Sequence, residues 1–229
     1  MTNASTSQPD DSPVRVARHY RRSVRIDADI GRPDALDGYV LTDTAREALS
    51  VMSRQIAGSN QRAFTWTGPY GGGKSSLALI LSAAVSQDES IRNQAAGMLG
   101  SIPHFAEAFS ADDGAWLTIP VVGRRDSVTS EIAKALSRAL GKNERQACQE
   151  TIVADLVTEA GRKDRSGVLL IVDEMGKFLE ASAAGGDDVH FFQDLAESAA
   201  RCKGKLVVVG ILHQAFRQYA SRLGIEARE

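Results

Sequence analysis

One segment of this 229-residue chain constrains its fold more than any other, the glycine-rich run Gly68-Pro69-Tyr70-Gly71-Gly72-Gly73-Lys74-Ser75. It follows a short β-prone run, Ala63 to Thr67, and it leads into a stretch with helical spacing of apolar residues that extends to Val85. Glycines let the backbone turn with positive φ and direct successive amide hydrogens at an anion, and the helix adds the positive end of its dipole. This order of strand, glycine-rich turn and helix predicts a phosphate-binding loop.

The residue types within the run assign roles to its members. A glycine, four residues and then Gly-Lys-Ser is the pattern of loops that bind nucleoside triphosphates. We expect the backbone of Gly68 to Gly73 to bind the phosphates, Lys74 to reach the β and γ phosphates, and Ser76 to belong to the same binding set. The Ser75 hydroxyl is an oxygen ligand of the kind that Mg²⁺ prefers. An ordinary glycine-rich turn is the alternative, and the flanking strand and helix disfavour it.

Two adjacent carboxylates, Asp173 and Glu174, follow the apolar run Val168 to Val172. Ligand sites of parallel sheets lie at the carboxyl ends of the strands, so both side chains are expected beside the phosphate loop. We expect Asp173 to hold Mg²⁺ or its water together with Ser75, and Glu174 to polarise the water that attacks the γ-phosphate. An acidic pair can instead begin a loop or cap a helix, and the upstream phosphate loop favours the catalytic interpretation.

Alternating strand and helix patterns along the chain predict an α/β fold with a mostly parallel sheet covered on both faces. Besides Ala63 to Thr67, strands are predicted at Trp116–Val122, Val168–Val172 and Leu206–Leu212. Helices are predicted from a capping box at Thr44 to about Ile56, from Lys74 to Val85, within 88–112, after a cap at Asp126, from Glu144 to Ala160, and from Val189 to Arg201.

With these motifs the chain resembles the P-loop NTPases whose sheet has an extra strand between the phosphate-loop strand and the Asp-Glu strand, a group that includes AAA+ and signalling ATPases. The resemblance covers about residues 40–220 and implies a three-layer core in which Leu206–Leu212 is the inserted strand. The stretches Asp173–Glu180 and Leu212–Phe216 also resemble the N-terminal ATPase modules of large bacterial ATPases, some of them associated with phage defence.

The resemblance implies three further features. A polar residue after the inserted strand senses the γ-phosphate, which maps to His213 or Gln214, although a packed or capping role for His213 is equally open. Tyr39 packs on the adenine by analogy with the group's base pocket, with a core tyrosine as the equal alternative. The group's fifth strand and helical lid are expected to be missing, which favours a fragment or N-terminal module completed by another module, chain or copy.

The source of an arginine finger, which the group commonly uses for hydrolysis, is open. Arg201, Arg217 and Arg222 are candidates by position alone. The loop Val122–Ser127 has two arginines and no aromatic residue, which disfavours polypeptide threading and suits either phosphate, an acidic partner or a plain solvated surface.

Composition adds little about partners. A formal net charge of -2 gives no global attraction for nucleic acid, and the five arginines between Arg15 and Arg25 form either a phosphate-binding arm or a solvated one. Cys148 and Cys202 lack zinc or disulfide spacing, and no apolar run approaches the roughly 20 residues of a membrane span. We therefore predict a cytoplasmic protein with a disordered tail at 1–13, a basic arm at 14–38 and one P-loop NTPase domain at 39–229.

ATP is the predicted nucleotide, because the Asn-Lys-x-Asp signature of guanine recognition is absent from the sequence. The predicted function is an ATPase module that couples hydrolysis to conformational work on a partner, within an oligomer or a larger assembly. The alternative is a nucleotide-dependent signalling or defence switch with slow or no turnover. A small-molecule kinase is disfavoured by Glu174 and by the missing lid.

Overall fold

The computed structural model describes residues 24–112, 114–144, 148–183, 190–202 and 205–213. Four strands are described: β1 Ala63–Thr67, β2 Leu117–Val122, β3 Val168–Asp173 and β4 Leu206–Leu212. The α-helices of this part of the chain are α1 Ile26–Asp29, α2 Asp43–Gly58, α3 Lys74–Ala84, α4 Glu89–Leu99, α5 Phe105–Ala108, α6 Val128–Ala139, α7 Gln149–Ala160, α8 Gly176–Ala183 and α9 Phe191–Arg201. A short 3₁₀ helix at Pro33–Leu36 precedes α2.

The four strands form one parallel sheet in the order β1-β4-β3-β2. The last strand in sequence therefore lies between the strand before the glycine-rich loop and the strand that ends in Asp173. This confirms the predicted insertion of Leu206–Leu212. Every residue of β3 and of β4 is buried, as expected for central parallel strands that are apolar on both faces.

Helices cover both faces of the sheet and create two hydrophobic clusters. Alternate residues of β3 point to opposite sides, so Leu169 and Ile171 join one cluster while Val168, Leu170 and Val172 join the other. The first cluster contains apolar residues of α1 to α5, and the second contains those of α6 to α9. Because each buried Val, Leu or Ile side chain contributes about 1.5–3 kcal/mol, these clusters provide the main driving force for the fold.

Several predicted helix boundaries differ from the structure because a neighbouring residue caps the helix. Thr42, not Thr44, is the N-cap of α2, since its hydroxyl accepts a hydrogen bond from Ala45 N at 3.3 Å. Ser127, not Asp126, is the N-cap of α6, where its hydroxyl accepts from Ser130 N at 3.1 Å. Helix α7 begins at Gln149 instead of Glu144, after the N-cap Cys148.

The sequence patterns do not predict helix α8, which begins only two residues after Glu174. The described part of the predicted basic arm packs against the domain, since Ile26 and Leu36 are fully or almost fully buried in the first cluster. Arg25 pairs with Asp27 at 2.7 Å. The predicted tail and four arginines of the arm, Arg15, Arg18, Arg21 and Arg22, lie outside the described residues, and the predicted domain boundaries stay predictions.

Both cysteines are free thiols. Among the residues that the structure describes, no helix is long and apolar enough to cross a membrane.

Candidate functional site

The glycine-rich loop connects the end of β1 directly to the start of α3. Gly71 has φ +74° and Gly73, the N-cap of α3, has φ +77°, a region that side chains with a Cβ rarely adopt. No side chain caps α3, so the first amide groups of this helix point toward the loop. A glycine-rich turn against an uncapped helix N-terminus is a site for a phosphate group.

Lys74, the first residue of α3, lies across this loop. Its ammonium group donates hydrogen bonds to Gly68 O at 2.7 Å and to Pro69 O at 2.8 Å. Burial lowers the pKa of Lys74, and the nearby Asp173 carboxylate opposes that shift. The loop therefore holds a positive charge beside the amides that would receive an anion.

The next residue of α3 joins the loop to the acidic strand end. The Ser75 hydroxyl donates a 2.7 Å hydrogen bond to Asp173 Oδ2, across 98 positions of sequence. Asp173 is 6% exposed, and its Oδ1 accepts a hydrogen bond from Glu174 N at 2.8 Å. A hydroxyl and a carboxylate oxygen in contact form a hard oxygen donor set that suits Mg²⁺.

The backbone at Glu174 is held from both sides. Glu174 has φ +52°, an unusual conformation for a residue other than glycine. On the β2 side, Gly123 N donates to Asp173 O at 2.7 Å, and a Cβ on Gly123 would lie only 2.1 Å from Glu174 O. On the β4 side, Met175 N donates to Ile211 O at 3.0 Å. Close contacts with both neighbouring strands thus fix the turn that presents the acidic pair.

The Glu174 carboxylate pairs with Lys177, one turn along in α8. Both side chains are partly exposed, so the carboxylate lies at the surface of the site and is not locked in the core. The pair places a positive charge next to the predicted catalytic carboxylate. Sequence reasoning did not assign a role to Lys177, although its spacing of three from Glu174 is the signal of such a helix pair.

His213 follows β4 and lies against the phosphate loop. Its imidazole stacks on the Tyr70 ring, with centroids 3.7 Å apart and planes inclined by 17°. Burial, followed by the positive charge of Lys74, lowers the pKa of His213, while Asp173 and Glu174 oppose the shift. The structure thus brings His213 into the electrostatic environment of the predicted site, whereas Gln214 lies outside the described residues.

Tyr39 lines a cavity of about 430 Å³ that opens beside the phosphate loop. The walls of this cavity come from the start of α2, the end of β1 and the loop itself, and they include Ala48, Trp66 and Leu77. Tyr39 is partly buried and also packs at the edge of the first cluster, and burial raises the pKa of its phenol. The cavity is lined mainly by apolar atoms and adjoins the glycine-rich loop.

The arginines singled out in the sequence that fall within the described residues include Arg125 of the Val122–Ser127 loop and the finger candidate Arg201. Arg125 is 83% exposed and lies 3.8 Å from Glu180, at the rim of a second cavity of about 230 Å³ that Glu174, Tyr70 and His213 also line. Arg201 pairs with Glu197 of its own helix. Arg217 and Arg222 fall outside the described residues.

A parallel sheet with an inserted strand, and a glycine-rich loop between β1 and α3, define the fold as the α/β core of a P-loop NTPase. Among solved structures, the chain is similar to the ORC2 protein of Aeropyrum pernix, determined in ADPNP–ADP complexes, with a TM-score of 0.51 and 13% sequence identity. The match covers 85% of this chain and 50% of that chain, so the chain spans about half of the ORC2 length. At this identity the likeness shows a shared fold alone. No protein-family model and no curated protein sequence matches the chain.

Proposed function

We propose that this chain binds ATP with Mg²⁺ and hydrolyses its β–γ phosphoanhydride bond, as the nucleotide module of an assembly that does conformational work on a partner. The observation that carries the proposal is the 2.7 Å hydrogen bond from Ser75 to Asp173, because it joins the phosphate loop to the acidic strand end. A phosphate-binding loop alone would support binding. The acidic pair beside it supports hydrolysis.

The phosphates would lie over the loop, where the amides of Gly71 to Gly73 and the N-terminus of α3 donate hydrogen bonds. Lys74 would exchange its carbonyl partners in the loop for oxygens of the β and γ phosphates. Ser75 and Asp173 would hold Mg²⁺, which neutralises charge on the phosphate oxygens. The adenine would occupy the cavity lined by Tyr39, where apolar walls exclude water from the base.

Glu174 would act on the attacking water. Its backbone is clamped between β2 and β4, so its carboxylate projects from a fixed point beside Asp173. A carboxylate in this place can accept a proton from water aligned with the γ-phosphate. His213, which stacks on Tyr70 of the loop and feels the charge of Lys74, would donate a hydrogen bond to the γ-phosphate from its neutral imidazole.

The pairing of Glu174 with Lys177 favours a second candidate, a nucleotide-dependent switch in a signalling or defence protein. A carboxylate engaged by an ammonium group is a weaker base toward water, so turnover would be slow until a partner separates the pair. The two candidates share one binding site. They differ in the rate of hydrolysis by the chain alone.

Nucleotide binding and steady-state turnover of the purified chain, across a wide range of protein concentration, test these proposals. Lys74→Ala should abolish ATP binding, whereas Glu174→Gln should bind ATP and lose turnover. Lys163→Ala and Glu107→Gln are matched controls, since both side chains are exposed and neither lines the site. ATP binding by Lys74→Ala equal to the parent would refute the site.

Turnover of the parent separates the two candidates. A specific rate that rises with concentration and vanishes in Glu174→Gln would support an assembling ATPase with sites completed by other copies. Tight ATP binding without turnover at any concentration would support the switch.

A further inference from the structure

The stack of Tyr70 on His213 connects two elements that are far apart in the sequence. Tyr70 is the third residue of the glycine-rich loop, and His213 is the first residue after β4. The rings lie face to face at 3.7 Å. The rest of Tyr70 faces solvent, since the residue is 77% exposed. Among the described residues, Tyr70 makes a ring contact with His213 alone and is not part of either hydrophobic cluster. Its contact with His213 is therefore the interaction that can give the side chain a role.

His213 has hydrogen-bonding capacity that the described part of the protein does not use. Both ring nitrogens are buried, and neither has a hydrogen-bond partner among the described residues. Buried polar atoms without partners carry a free-energy cost, and a ligand that supplies an acceptor removes it. The charges of Lys74, Asp173, Glu174 and Lys177 act on the imidazole.

The face-to-face stack engages a face of the imidazole and not its ring nitrogens. The ring nitrogens of an imidazole hydrogen-bond in the plane of the ring, whereas Tyr70 covers one face. Stacking therefore restricts the tilt of the imidazole without using its hydrogen-bonding atoms. Tyr70, His213 and Glu174 also line a cavity of about 230 Å³, so there is space for a ligand beside the stack.

We propose that Tyr70 is a positioning residue, which holds the His213 imidazole in the orientation that binds the terminal phosphate and so makes the site prefer ATP over ADP. The inference rests on the proposed function, because it assumes that the phosphates lie over Lys74. It adds a determinant of triphosphate specificity within the phosphate loop. The α and β phosphates, bound by loop amides, do not depend on the stack.

The test compares the dissociation constants of ATP and ADP in the Glu174→Gln background, where ATP persists, by titration calorimetry with Mg²⁺. Tyr70→Leu removes the ring but keeps an apolar side chain, and it should reduce the preference for ATP over ADP about tenfold, the value of one hydrogen bond to a charged group. Affinity for ADP should change by less than about twofold. Tyr70→Phe, which keeps a ring and loses the hydroxyl, should restore the preference.

Variants of His213 show whether Tyr70 acts through the imidazole. His213→Phe keeps a ring in the stack and removes both nitrogens, so it should reduce the preference for ATP to the same extent as Tyr70→Leu. The double variant Tyr70→Leu/His213→Phe should reduce it no further, because both changes remove one interaction. Circular dichroism of each variant reports whether it has folded, and His213→Leu, which also lacks a hydrogen-bond donor, replaces His213→Phe if the latter has not.

Three results would overturn the inference: equal weakening of ATP and ADP by Tyr70→Leu, additive effects in the double variant, or an unchanged preference in His213→Phe. Failure of the proposed function looks different, since Glu174→Gln would then bind neither nucleotide. If Glu174→Gln binds both nucleotides and Lys74→Ala binds neither, an unchanged ratio in Tyr70→Leu rejects the role of Tyr70 alone.

Discussion

Replacing Gly123 with alanine is expected to displace the acidic turn without touching the phosphate loop. The added Cβ would lie 2.1 Å from Glu174 O and 2.8 Å from its carbonyl carbon. Both distances are shorter than 3.0 Å, the closest approach to another heavy atom that Cβ atoms show in folded proteins. The obstacle is backbone, which cannot rotate away as a side chain can. The turn must therefore move by about 1 Å, and it must do so against the hydrogen bond from Gly123 N to Asp173 O.

The expected magnitudes follow from this displacement. Forced overpacking of this kind costs about 1–3 kcal/mol of the free energy of unfolding. Misplacement of a catalytic group by about 1 Å reduces turnover by about 100-fold. ATP affinity should change much less, since the loop amides and Lys74 stay in place. The signature is a large fall in kcat with a small change in KM.

Steady-state turnover and urea unfolding of Gly123→Ala measure the two effects separately. Gly97→Ala is the matched control, because Gly97 lies within α4 and no atom lies within 4 Å of a Cβ added there. That variant should retain turnover and gain about 0.5–1 kcal/mol of stability, since alanine favours a helix over glycine. Parental kcat in Gly123→Ala would refute the argument that the β2 contact positions Glu174.

Three further substitutions test the positioning of Glu174 and the stability of the fold separately. Gly210→Ala should cost about 1 kcal/mol in urea unfolding and lower turnover less than Gly123→Ala, because its Cβ meets the flexible Met175 thioether at 2.4 Å; a larger loss of turnover than in Gly123→Ala would contradict this. Lys177→Met should raise turnover up to about fivefold by releasing Glu174 from a partly exposed ion pair; a tenfold fall would instead assign Lys177 to phosphate binding. Trp116→Phe should lower the free energy of unfolding by about 1–3 kcal/mol, since it loses packing and the 2.8 Å hydrogen bond to Ser110 O, and an unchanged urea midpoint would count against that.

The position of the inserted strand could be predicted because two sequence motifs mark the strands on either side of it. The loop after Thr67 and the carboxylates after Val172 fix two strand ends, and the resemblance then places Leu206–Leu212 between them. The buried strands are also strongly apolar, so the sequence predicts their first and last residues well. The fold class and the position of β4 between β1 and β3 follow from these features, whereas the position of β2 beside β3 was not predicted.

Helix starts were less predictable because several capping residues stand close together in the sequence. Thr42 and Thr44 are both good N-caps, and only the tertiary position of α2 selects Thr42. The same ambiguity holds for Asp126 and Ser127. Local chemistry offers both choices at nearly equal free energy, and packing of the apolar helix face decides between them.

Contacts between distant elements account for what the sequence did not predict at the site. The pairing of Ser75 with Asp173 was expected from the motifs, but the stack of Tyr70 on His213 depends on how closely the loop approaches β4. Likewise, the need for glycine at Gly123 arises only when Glu174 O lies against it. Such requirements come from three-dimensional proximity and leave no local pattern.

The two-sided apolar character of β3 has a consequence for how the strands align. A strand with one polar face resists slippage, because a shift by one residue would bury its polar side chains. In β3 both faces are buried and apolar from Val168 to Val172, so hydrophobicity distinguishes poorly between the native alignment and shifted ones. At the carboxyl end of the sheet, Gly123 and Gly210 disfavour shifted alignments. A shift by one residue would replace each glycine by a residue with a side chain, which would clash with Glu174 or Met175. The backbone contacts that hold Glu174 therefore also favour the native strand pairing over shifted ones.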